Sequence, residues 1–138
     1  MPDTVVMLKR YARHINARYE MPPDPLPLEQ AMAEIRHRLT DVPTPFARVA
    51  LAVWLYKKLT SRDPQLITVV NILNYDPESV NESPEVHIHL SQKNVIDAIH
   101  ALQQKPEGEK AGKGILVPQD EGNRVSLNLS LEAALNKL

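Results

Sequence analysis

The sequence predicts an α+β chain, with a helical N-terminal half followed by a small antiparallel sheet and a covering helix. Three observations carry that expectation. Apolar residues recur at helical spacing in successive segments from residue 5 to residue 74. All four glycines fall between residues 108 and 122, which concentrates tight turns late in the chain. Alternation of apolar and polar residues, the period of a half-buried strand, occurs at 86–90 and again at 125–130.

The first helix is expected over about 5–20, capped by Thr4, with Val5, Leu8, Ala12, Ile15 and Tyr19 on one face. Its opposite side is cationic, with Lys9, Arg10, Arg13 and Arg18. Residues 22–27 hold four prolines, which fix φ and remove amide donors, so this stretch reads as a stiff connector. A second helix over about 28–40 turns Leu28, Met32, Ile35 and Leu39 inward and pairs Glu34 with Arg38 outward.

Thr44 as cap and Pro45 at the first helical position open a third helix reaching about Arg62. It is apolar almost all round from Val49 to Tyr56, which predicts the central core helix. Asp63-Pro64 repeats the cap-then-proline signal. Leu66, Val69, Val70 and Leu73 follow at helical spacing, although the β-branched run around them also suits a strand; helix is the reading adopted.

Residues 76–85 read as a polar exposed loop, and Val86, Ile88 and Leu90 as the buried face of a strand. Ser91 caps a helix over about 92–104 with Val95, Ile96, Ile99 and Leu102 inward. Gly114 to Val117 and Val125 to Ser130 then flank a turn at 120–123, as in a β-hairpin. Ser130 caps a closing helix. Its Leu131, Leu135 and Leu138 are either the last piece of core or the seam of a homodimer.

A chain of 138 residues with 43% hydrophobic and 24% charged residues matches one globular domain spanning 1–138. With no cysteine, disulfides, thiolate metal sites and cysteine nucleophiles are excluded. The N-terminus lacks a basic then apolar leader pattern, and the longest apolar run is too short to span a bilayer, so a cytoplasmic protein with no membrane contact is expected. Residues 1–64 carry ten Lys/Arg against seven Asp/Glu, and residues 65–138 carry six against ten. Any polyanion should therefore prefer the N-terminal half, unless the asymmetry is ordinary scatter.

No glycine precedes residue 108, which excludes a Rossmann or P-loop domain. Gly108 to Gly114 approaches a P-loop, but it is one residue short between glycines and has Gly114 where magnesium needs Ser or Thr. Glu85, His87 and His89 share one strand face and His100 lies on the next helix. Two strand histidines without a close third ligand make a weak site, so no metal is expected. Nothing marks a nucleophile elbow, an HExxH helix or paired catalytic carboxylates. The chain is read as non-enzymatic, with no catalytic residue and no cofactor.

Residues 91–102 followed by the 115–130 hairpin resemble the recognition helix and wing of winged-helix domains, as found in prokaryotic regulators and plasmid replication proteins. Helices 45–62 and 64–74 are then the first two helices of the unit. The resemblance implies DNA contact through Gln92, Lys93 and Asn94, where side chains near the helix N-terminus reach base edges. Arg124 and Lys113 near the wing, with Lys9, Arg10 and Arg13 on the first helix, would then meet phosphate. About 17 residues separate Leu73 from Ser91, longer than a helix-turn-helix turn, and the wing tip is acidic at Asp120 and Glu121. The favoured function is thus a small DNA-associated or regulatory protein. The competing reading is a protein-binding adaptor or assembly subunit without nucleic-acid contact.

Overall fold

The computed structural model describes residues 2–75, 90–103, 114–119 and 123–138. The loop expected at 76–85, strand residues 86–89, Lys113 with its neighbouring loop and the hairpin tip at 120–122 lie outside the described residues. Within them the element order is α1 (Pro2–Arg18), α2 (Leu28–Arg38), α3 (Pro45–Thr60), α4 (Leu66–Leu73), α5 (Gln92–Gln103), β1 (Leu116–Pro118), β2 (Val125–Leu127) and α6 (Leu129–Asn136). An α+β class is therefore what the chain adopts.

Helix α3 begins as its sequence dictates, with the Thr44 side chain accepting a hydrogen bond from the Ala47 amide at 3.3 Å and Pro45 in the first turn. An unbroken run from Val49 to Tyr56 is buried. A helix that is apolar on every side must be enclosed, and α1, α2, α4, α5 and β2 all pack against it. It ends at Ser61 in the left-handed conformation, whose amide returns to the Lys57 carbonyl at 2.8 Å.

On α1 the expected stripe is the buried one, with Leu8, Ala12 and Ile15 in the core and Val5 and Tyr19 packed against it. The helix starts at Pro2, so Thr4 lies inside its first turn instead of capping it. On α2, Met32, Ile35 and Leu39 are buried as expected, but Leu28 is 48% exposed because it opens the helix beyond the reach of the core. Arg38 also departs from expectation. It pairs with Glu34 at 2.9 Å, yet it is only 7% exposed. Its other nitrogen donates to the Glu20 carbonyl at 2.8 Å and its guanidinium stacks 5.2 Å from the centre of the Tyr19 ring. The chain leaving α1 thus covers a face that helical period alone assigns to solvent.

Asp63-Pro64 does not start α4. The helix begins at Leu66, and Gln65 is extended and bridged antiparallel to Arg124. The Val125 amide donates to the Pro64 carbonyl at 3.0 Å and the Leu66 amide to the Asn123 carbonyl at 2.9 Å. A proline lacking an amide hydrogen serves here because only its carbonyl is used. Segment 63–66 so extends the hairpin on one side.

In the hairpin, Leu116 faces Leu127, Val117 faces Ser126 and Pro118 faces Val125. The ladder bonds from Gln119 to Arg124 and from Asn128 to Ile115, each 2.8 Å, turn the nitrogens of Leu116 and Pro118 toward the edge away from β2. Pro118 has no hydrogen to offer there, which blunts that edge against further strand pairing.

The alternation through Ser130 is cut short. Strand β2 stops at Leu127, and Asn128 rather than Ser130 caps α6, accepting from the Ser130 amide at 2.8 Å and the Leu131 amide at 3.3 Å. Leu131 and Leu135 are buried within the single chain and Leu138 packs against the same core, so they are core residues and do not form an exposed seam. Helix α6 lies against α1, and Trp54 of α3 donates its indole hydrogen to the Asn136 side chain at 2.9 Å.

Two outcomes follow for stability. Leu55→Ala should cost about 2–5 kcal/mol in urea denaturation, whereas Lys57→Ala, which loses only long ion pairs, should cost less than about 1 kcal/mol. Equal effects would contradict a core centred on α3. Truncation before Leu131 should abolish cooperative unfolding, since it removes buried leucines and the Trp54 acceptor; a folded truncated monomer would restore the dimer-seam reading.

Candidate functional site

The first turn of α5 is set by Ser91, whose hydroxyl accepts from the Asn94 amide at 3.1 Å as expected of a cap. Gln92, Lys93 and Asn94 are consequently exposed together. The cation among them is paired. Lys93 donates to Asp97 one turn on at 2.8 Å, and that carboxylate raises the lysine above its ordinary range. Arg124 is half-buried at the hairpin and donates to the Asp63 carbonyl. Its guanidinium helps tie segment 63–66 to the sheet.

The remaining cations expected to meet phosphate are on α1, where Arg10 and Arg13 are exposed and Lys9 is half-buried. Helix α1 packs on α3 and α6, while α5 packs on α3, α4 and β1, so the two sets sit on helices that share only α3 among these neighbours. Lys113 lies outside the described residues. So do Glu85, His87 and His89, whose metal reading cannot be placed; among the described residues no group of three His, Asp or Glu could hold a metal ion.

What α5 does form is an open groove of about 340 Å³ with α4 and the hairpin turn. Helix α5 supplies Gln92, Ile96, Ile99 and His100, residues at the spacing of a single helix face. Helix α4 supplies Leu66, Ile67 and Val70, preceded by Gln65, and the hairpin supplies Asn123. Val70 and Ile99 make a buried floor, while Ile67 is 53% and Ile96 36% exposed on the walls. Ile96 was expected to face inward; Ala98 takes that buried place and Ile96 turns to the groove.

Among the described residues, no Lys, Arg, Asp or Glu lines this groove. The side chains of Gln65, Gln92, His100 and Asn123 make no hydrogen bond to a described residue. Apolar walls thus stand exposed beside polar groups that no described residue engages. Comparison with protein-family models, with curated proteins and with solved structures found no match.

A second depression, at the start of α6, has Lys57 standing 3.5 Å from Asp63 and 3.9 Å from Glu132. Its charges answer one another within the chain. Among the described residues no helix is long and apolar enough to cross a membrane.

The groove residues were largely missed from the sequence. Ile67 sits off the Leu66, Val69, Val70, Leu73 stripe, and an apolar residue outside its helix's stripe was the available signal. The site makes a testable distinction. Ile96→Glu should shift stability by less than about 1 kcal/mol, as at other surface positions, whereas Arg124→Ala should cost about 1–3 kcal/mol by freeing segment 63–66. The reverse order in urea denaturation would show that Ile96 is structural and Arg124 free for a ligand.

Proposed function

We propose that this chain is a non-enzymatic protein-binding module, an adaptor or assembly subunit that receives a partner segment in the groove between α4 and α5. The observation carrying this reading is the pair of exposed isoleucines, Ile67 and Ile96, over a buried apolar floor, with no Lys, Arg, Asp or Glu among the described lining residues. Affinity at such a surface comes from apolar burial around a few anchors. A cytoplasmic setting fits a chain without cysteine.

The winged-helix-like reading is supported by the order of elements: α3, the extended segment at Gln65, α4, α5 and then the hairpin. It favours a second function, DNA association through Gln92, Lys93 and Asn94, which lie exposed on one helical turn. Lys93 is paired with Asp97 and the Arg124 guanidinium is held against the Asp63 backbone carbonyl, so among the described residues that surface offers few cations free to meet phosphate. Phosphate neutralisation supplies most non-specific DNA affinity, so the protein-binding reading is preferred.

Fluorescence anisotropy with random duplex DNA separates the two. The protein should leave the anisotropy unchanged even at low salt, where counterion release contributes most. Binding that weakens steeply with salt and falls on Lys93→Ala would overturn the protein-binding reading and establish the other.

A further inference from the structure

We draw no further inference here: the strongest candidate, the open groove between α4 and α5 with Ile67 and Ile96 on its walls, belongs to the site already described, and nothing in the structure shows what covers it.

Discussion

Enclosure of helix α3 is the constraint on which the other elements depend. Its buried residues from Val49 to Tyr56 include both faces of the helix, Trp54 and Leu55 among them. Leaving any side in water would forfeit roughly 1.5–3 kcal/mol for each large side chain exposed. The chain meets this demand by laying α1, α2, α4, α5 and β2 around one axis. Polar ties then hold the shell in register. Arg36 donates to the carbonyls of Asn71 and Ile72 at the end of α4, and Trp54 anchors α6 through Asn136.

Once α3 is surrounded, the outer faces of the shell helices are free to differ. Helix α1 shows Arg10 and Arg13 to solvent, as a surface helix ordinarily does. Helix α4 carries no charged residue, and α5 shows its joined Lys93 and Asp97. The two helices meet along buried Val70 and Ile99 but diverge above that line, leaving Ile67 and Ile96 on facing walls. Segment 63–66, pinned to the hairpin by the Pro64 and Asn123 carbonyls, brings Gln65 and Asn123 to the same end of the groove. The bonds that build the sheet therefore also place the polar rim of the candidate site.

Much of this was legible wherever neighbours in sequence decide the outcome. The Thr44-Pro45 start, the Ser91 cap and the stripe of α1 rest on local geometry, and each formed where expected. The departures arise from partners far along the chain. Pro64 reads as a helix start until β2 claims its carbonyl, and Arg38 reads as outward until Tyr19 and Glu20 cover it. Ser130 reads as a cap because alternation runs on past Leu127, but Asn128 reaches the free amides first. The groove was hidden for a related reason, since helical period reports which side of one helix is buried and not how far two helices part.

Helix α3 organises the molecule, and the α4–α5 groove is a surface the fold leaves over. Native-state hydrogen exchange tests both halves in one measurement. The amides of α3 from Val49 to Leu59 should exchange only through global unfolding, at the highest protection in the chain, while the first turn of α5 should open locally at lower cost. Protection of α4 and α5 exceeding that of α3 would contradict the account, because the walls of the groove would then be the core.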